Sequence, residues 1–150
     1  MLKFNISSFN KLGPVEKMDY FQRIEPCLST ESNLESETKK TLEEDLTEIA
    51  YNDKDPIVRH EAGFFLGQLA RFQLIDGEKA SMILCDIIDS DPSLVVKHEL
   101  IESLAYFNYA HVKSLLIRYS KSANIDLKST AIISLGRFHK RFDESSISKS

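Results

Sequence analysis

One pattern of apolar and charged residues occurs three times along this chain. Each copy begins with an apolar residue followed by a basic one, and each carries Leu eight positions after its start. The copies begin at Val58, Val96 and Leu127, which are 38 and 31 residues apart. A period of about 30 to 40 residues is typical of helix pairs that stack into an α-solenoid, because one pair cannot bury its apolar face alone. The repeat therefore predicts an all-α fold.

The helical spacing of apolar residues divides the chain into short helices. We predict helices over 36–50, 56–72, 77–89, 92–108, 110–121 and 125–140, preceded by a weaker candidate over 14–25. Asp55-Pro56 and Asp91-Pro92 each place a capping residue before a proline at the first helical position. Ser36 and Asn124 are further candidate caps, and no alternating strand pattern competes with the helices.

The same pattern divides the chain into three parts. Residues 1–35 form an N-terminal helical segment whose packing the sequence leaves open. Residues 36–142 form the repeat domain, with about three and a half repeats. Residues 143–150 form a polar, Ser-rich tail, for which we expect disorder.

Within each copy, an apolar residue, a basic residue, two variable residues and then a small or apolar residue follow one another, with Leu-Gly or Leu-Ala further on. This order resembles the HEAT-like repeats of the phycobilisome-lyase type. In those repeats the basic residue often pairs with an Asp of a neighbouring turn. The resemblance implies this structural role for Arg59, Lys97 and Lys128, with Asp55, Asp91 and Asp126 as acidic partners.

Charge and composition argue against several classes of function. The net charge is -4, and no basic stripe with interleaved aromatic residues occurs, so we expect no nucleic-acid partner. No apolar run approaches the roughly 18 residues of a membrane span, and residues 1–13 lack the apolar region of a signal peptide. Cys27 and Cys85 match no metal-ligand spacing, and we expect a reducing, cytoplasmic location. Neither a nucleophile-elbow serine nor a Gly-rich phosphate loop occurs.

Two of the copies carry a His-Glu pair at the same position, His60-Glu61 and His98-Glu99. On a helical wheel each histidine lies nearly opposite the core face of its helix, and each glutamate lies on the flank. The third copy has Ser129-Thr130 at this position, so the repeat itself does not require the pair. The histidine face also carries apolar residues, which is typical of a groove or an interface. These residues are Ile57, Phe64, Gly67, Val95, Ala105 and Tyr106.

The pairs allow two interpretations. Stacked helices lie roughly 10 Å apart, so equivalent side chains on neighbouring repeats can converge on one ion. Two imidazoles with carboxylates suit iron, manganese or zinc with open positions, and the lack of a thiolate favours an exchangeable site over a structural one. Alternatively, the pairs are exposed to solvent and are equivalent only because the repeats arose by duplication.

The residues around the pairs read Val58-Arg59-His60-Glu61-Ala62-Gly63, with Leu66-Gly67 after them, and Val96-Lys97-His98-Glu99. Over roughly residues 53–138 this sequence resembles the deoxyhypusine hydroxylase family. That family consists of HEAT repeats with four His-Glu pairs around a di-iron centre, and it hydroxylates a modified lysine. The resemblance implies that His60, His98 and Glu99 are metal ligands. It also implies that Glu61 is either a ligand or a catalytic carboxylate that meets a cationic substrate.

These features support three functional hypotheses. The leading one is a non-haem di-iron oxygenase or hydroxylase, assembled as a homodimer because one chain has two His-Glu pairs where the family has four. The alternative is a non-catalytic HEAT-repeat adaptor for a partner protein, with Phe64, Tyr106 and Phe107 as anchors. The third is a metal-binding module without redox chemistry. The sequence leaves the roles of Glu102 and Tyr106 open.

Overall fold

The computed structural model describes residues 6–29 and 34–143, and every regular element within these ranges is helical. The all-α prediction is confirmed for this part of the chain. None of the described helices is long and apolar enough to cross a membrane. Of the predicted polar tail, residues 144–150 lie outside the described ranges. The helices are α1 Ile6–Asn10, α2 Pro14–Ile24, α3 Ser36–Asn52, α4 Pro56–Arg71, α5 Gly77–Ser90, α6 Leu94–Leu104, α7 Ala110–Tyr119 and α8 Ile125–Phe138.

Side-chain caps fix the first turns of two helices as the sequence predicts. Asp55 Oδ1 accepts a hydrogen bond from the Ile57 amide at 2.9 Å, which starts α4. Asn124 Oδ1 accepts from the Leu127 amide at 3.1 Å, which starts α8. The predicted cap at Ser36 is wrong, because Ser36 is already the first residue of α3.

The start of α6 also differs from the prediction. Asp91 ends α5, and the N-cap of α6 is Ser93, whose hydroxyl accepts from the Val96 amide. The reason is that the Asp91 carboxylate is occupied by the Ser93 amide and by Arg59, so the helix begins later, at Leu94. At the other end of the chain, α8 stops at Phe138 and a π-helical turn, His139–Asp143, follows it.

The helices pack in two rows. The first row contains α2, α4, α6 and α8, each in contact with the next, and the second contains α3, α5 and α7. The core lies between the rows and is lined by the apolar face that the sequence pattern predicts, including Val58, Leu66, Val96 and Leu100, all fully buried. The N-terminal segment belongs to this packing, because Phe21 and Ile24 of α2 lie in the same core.

The glycine at position 63 allows α4 and α6 to approach closely. A Cβ atom added to Gly63 would lie only 2.6 Å from Cδ2 of Leu100, a buried side chain of α6. Any larger residue here would push the two helices apart or displace Leu100. This close contact sets how near side chains at the start of α4 lie to those of α6.

Two ion pairs join consecutive members of the first row to the turns between the rows. Lys17 of α2 binds Asp53 with Nζ 2.7 Å from Oδ2, and the two side chains are only 3% and 1% exposed. Arg59 of α4 binds Asp91 in the same way, with Nε 2.8 Å from Oδ2. Asp53 and Asp91 are therefore the acidic partners, whereas Asp55 caps α4 instead of pairing with a basic residue.

Lys97 of α6, which stands at the position of Arg59 in the sequence repeat, has other partners. Its Nζ donates to the carbonyl oxygen of Ile88 at 2.5 Å and lies 3.5 Å from the Tyr119 hydroxyl. The implied pairing of Lys97 with an aspartate is therefore wrong. The carbonyl of Ile88 and the hydroxyl of Tyr119 take the place of the aspartate.

Removing the charge of Asp53 tests how far the N-terminal segment depends on its buried ion pair. Asp53→Asn keeps an acceptor for the Asp55 amide, which Asp53 Oδ1 now binds at 2.9 Å, but leaves Lys17 charged and unpaired in the core. We expect the free energy of unfolding to fall by about 3–5 kcal/mol in urea titrations. Adding Lys17→Met should recover most of the loss, because no buried charge then remains. A change below about 1 kcal/mol for Asp53→Asn would mean that the pair contributes little.

Candidate functional site

The four residues predicted as metal ligands lie near the beginnings of α4 and α6. His60 and Glu61 are half-buried, with side chains 21% and 24% exposed. Glu99 is half-buried as well, whereas the His98 side chain is 50% exposed. The wheel therefore placed both histidines correctly outside the core, but the two have different surroundings.

His60 lies between two carboxylates. Its Nδ1 is 3.1 Å from Glu61 Oε1, and its Nε2 is 3.4 Å from Glu99 Oε2 of α6. The Nδ1–H does not point at the Glu61 oxygen well enough to form a regular hydrogen bond, so this contact is an ion pair. The contact with Glu99 crosses from α4 to α6, at the side of the helix where Gly63 permits close approach.

The two carboxylates keep His60 protonated. Glu61 first and Glu99 second raise the pKa of His60 to about 9, although partial burial acts in the opposite direction. The same contact with His60 holds the pKa of Glu99 below its usual value. His60 is therefore an imidazolium at neutral pH, and both of its nitrogens carry protons. A metal ion can bind this side chain only after one proton leaves.

His98 turns toward other partners. Its Nε2 lies 2.5 Å from Glu102 Oε1, one turn further along α6. Its Nδ1 lies 2.8 Å from the hydroxyl of Thr130 on α8. Since Thr130 donates its own hydroxyl hydrogen to the Asp126 carbonyl, Nδ1 of His98 is the donor in the contact with Thr130. Glu102, whose role the sequence left open, is thus the carboxylate partner of His98.

The two histidines make the same kind of contact. His60 of α4 reaches Glu99 of α6, and His98 of α6 reaches Thr130 of α8. Glu99 and Thr130 occupy the same position in the sequence repeat, directly after the histidine position. The repeated position therefore joins each helix of the first row to the next. Sequence reasoning brought side chains of neighbouring repeats together but assigned them to a shared ion, so it missed these direct contacts.

The candidate ligands do not converge on one point in this arrangement. His60 contacts Glu61 and Glu99, while His98 contacts Glu102 and Thr130. Within residues 6–29 and 34–143, no group of three or more His, Cys, Asp or Glu side chains is placed to hold a metal ion. An ion bound by all four predicted residues would require His60 to lose a proton and His98 to leave both of its partners.

Cavities open near both ends of the α6 surface in the described part of the chain. The apolar groove, of about 420 Å³, lies at the beginnings of α6 and α8 and is lined by Leu94 and Val95 together with the polar residues His60, His98, Asp126, Ser129 and Thr130. The arginine pocket, of about 140 Å³, lies at the other end of α6 and is lined by Arg71, Tyr106 and Arg137, among others. On α6, His98 lines the groove, and Glu99 and Glu102 line the arginine pocket.

The apolar residues predicted for the histidine face are only partly accessible. Ile57, Val95 and Tyr106 are exposed, and Phe64 is half-buried. Gly67 and Ala105 are buried, and Phe107 is a core residue, 6% exposed. Phe107 was therefore wrong as a candidate anchor for a partner, because the turn after α6 directs it inward.

The pKa of His60 gives a direct test of its two contacts. We expect its imidazole proton resonance to titrate near pH 9 by NMR, and Glu61→Gln with Glu99→Gln should return the midpoint toward 6.5. Because the pKa is raised in the folded chain, protonated His60 stabilises the fold fully below about pH 6.5. That stabilisation is lost as the pH rises through 9, and His60→Gln should remove this part of the pH dependence. A wild-type midpoint near 6.5 would show that the carboxylates do not hold the imidazole.

Comparison with known proteins adds no relative to this geometry. No family model, curated protein or solved structure matches the chain. The likeness to deoxyhypusine hydroxylase stays a prediction from the His-Glu motifs, and the function has to be inferred from the contacts described above.

Proposed function

We propose that this chain is a non-catalytic helical-repeat adaptor of the HEAT-like type, which binds a segment of a partner protein across α4, α6 and α8. The observation that carries this proposal is the use of both histidines as contacts between consecutive helices. Their ring nitrogens face carboxylates and a hydroxyl of the protein itself. Such contacts hold three helices side by side and so support one continuous binding surface.

The arrangement of the helices supports the HEAT-like part of the proposal. Copies of the sequence pattern at Val58, Val96 and Leu127 fall on α4, α6 and α8, which are neighbours in the first row. In the second row, α3 contacts α5, and α5 contacts α7. We propose that α3–α4, α5–α6 and α7–α8 are the repeat units, and that α2 extends the first row by one helix.

The apolar groove supplies the chemistry for a partner. Leu94 and Val95, its two aliphatic lining residues, are each 46% exposed. The groove volume of about 420 Å³ lies within the range of ligand-binding clefts. Exposed apolar side chains grouped in a concave site are the usual anchors of a protein interface, and polar groups at the rim fix the orientation. The occupant that fits is a peptide segment with two or more apolar side chains.

A selection experiment tests the adaptor proposal. Random 12-residue peptides displayed on phage and selected on the immobilised protein should converge on sequences with paired apolar residues. The affinity of a selected peptide should fall at least tenfold, about 1.4 kcal/mol, in Val95→Asp, as measured by fluorescence polarisation. Ile133→Asp is the matched control, because Ile133 is exposed on α8 but does not line the groove. Equal affinity for wild type and Val95→Asp would contradict binding in the groove.

A metal site is the second candidate function, and one observation favours it. The two ring nitrogens of His60 each lie within 3.4 Å of a carboxylate oxygen, Nδ1 of Glu61 on α4 and Nε2 of Glu99 on α6. Together with His98 this is the N and O donor set that suits iron, and zinc or manganese as well. Bound iron would supply redox chemistry of the oxygenase or hydroxylase type. In that case a homodimer brings four His-Glu pairs together, and Glu61 meets a protein or small cationic substrate.

Metal titration distinguishes the second candidate from the first. If the site binds iron, calorimetry with Fe²⁺ under argon should show affinity that increases up to about pH 9, since the metal competes with the proton of His60. His60→Ala and His98→Ala should each lose most of the bound metal. Ser129→Ala, at the same repeat position in α8, should not change it. Equal metal content in the wild type and the three variants would exclude the site. A metal-bound protein that stays a 17.1 kDa monomer would exclude the shared dimeric centre.

A further inference from the structure

The arginine pocket lies beside an aromatic ring, Tyr106, over which two arginines lie, one from α4 and one from the π-helical turn after α8. Arg71 ends α4, Tyr106 directly follows the turn after α6, and Arg137 lies in the last turn of α8. The Arg71 guanidinium carbon lies 3.9 Å from the centre of the Tyr106 ring, and that of Arg141 lies 4.3 Å from it. Two cations therefore share one ring, which holds their side chains in defined positions.

Nearby carboxylates balance these arginines only in part. Glu99 and Glu102 also line the pocket, but Glu99 contacts His60 and Glu102 contacts His98 at 2.5 Å. Arg137 is only loosely paired, with Nη1 4.0 Å from Glu102 Oε2. Among the residues that the structure describes, Arg71 forms no ion pair or hydrogen bond, and its contacts are with aromatic rings. Arg141 donates one hydrogen bond, to the Ala105 carbonyl.

The shape of the cavity limits what these groups can hold. Its volume of about 140 Å³ suits one small group and not a nucleotide or a lipid. Gln68 and Ser103 line it as well and add neutral hydrogen-bonding groups. Guanidinium groups present paired N–H donors that match two oxygens of a carboxylate or a phosphate. An oxyanion at this point would also relieve the repulsion between the arginines that surround Tyr106.

We propose that the arginine pocket is an oxyanion-binding site, in which Arg71 and Arg137 bind the oxygens of one phosphate or carboxylate group. This site is separate from the apolar groove and shares Glu99 with the contacts of His60, and it does not depend on whether the groove binds a partner. Tyr106, whose role the sequence left open, holds Arg71 in position by stacking. Because the arginines are exposed, added salt should weaken the binding.

NMR titration with inorganic phosphate tests the proposal at low ionic strength. The side-chain Nε–H signals of Arg71 and Arg137 should shift and saturate with a dissociation constant in the millimolar range or tighter. Arg71→Gln and Arg137→Gln should each weaken binding at least fivefold, with circular dichroism confirming that the helices are intact. Arg118→Gln is the control, because Arg118 is an equally exposed arginine that already pairs with Asp89. Linear, unsaturated shifts, or equal binding by the Arg71→Gln protein, would overturn the site.

A second arm of the titration identifies the source of the anion. Acetate and a short phosphoserine peptide are titrated under the same conditions as inorganic phosphate. Binding of the peptide at least tenfold tighter than free phosphate would assign the site to an anionic side chain of a partner. Equal binding would assign it to a free anion. Either result requires the loss of affinity in Arg71→Gln, and without that loss the pocket is not an oxyanion site.

Discussion

The structure depends on polar contacts that recur between consecutive helices of the first row. An apolar interface alone does not fix how far one helix slides along the next, because dispersion and burial are not directional. Here side chains at equivalent repeat positions join α2 to the turn before α4, α4 to α6 and α6 to α8. The contacts are Lys17–Asp53, Arg59–Asp91, His60–Glu99 and His98–Thr130. Their partners are specific, so they define the register of the helices.

These contacts also determine what the surface offers to a ligand. The ring nitrogens of His60 and His98 contact groups of the protein itself, among them the carboxylates of Glu99 and Glu102. The polar side chains in the middle of the α6 surface are therefore already engaged in contacts within the protein, whereas the two ends of this surface stay accessible to a ligand. One end carries the exposed Leu94 and Val95, and the other carries Arg71, which forms no ion pair with a described residue, and Arg137, which is loosely paired with Glu102. A binding surface with an apolar end and a cationic end follows from this arrangement.

Much of the fold could be predicted because helical signals are local. The apolar spacing identified the buried face of α4, and Asp55 and Asn124 marked helix starts through bonds to amides two and three residues away. The start of α6 could not be predicted, because Asp91 has a distant partner, Arg59, that takes its carboxylate. The packing of the N-terminal segment could not be predicted for a similar reason. Lys17 pairs like Arg59, but no His-Glu pair marks its helix.

The histidines show the same limit at the candidate site. Their position outside the core could be predicted from the wheel, but their partners lie on the next helix and not on their own. The sequence Ser129-Thr130 in the third copy indicated that the repeat does not require a His-Glu pair. Thr130 is nevertheless the acceptor of the hydrogen bond from His98. The repeat position of Glu99 in α6 and Thr130 in α8 thus accepts from the histidine of the preceding helix in the row, and either a glutamate or a threonine can serve.

The most direct test of this account is a double-mutant cycle between His60 and Glu99, measured by urea unfolding with a chelator present. The wild type, His60→Ala, Glu99→Ala and the double variant should give a coupling free energy of about 1 kcal/mol at pH 7. The coupling should vanish at pH 10, where His60, with a pKa of about 9, is largely neutral. Coupling that is absent with the chelator and appears only when a divalent metal is added would contradict the account and identify the pair as metal ligands.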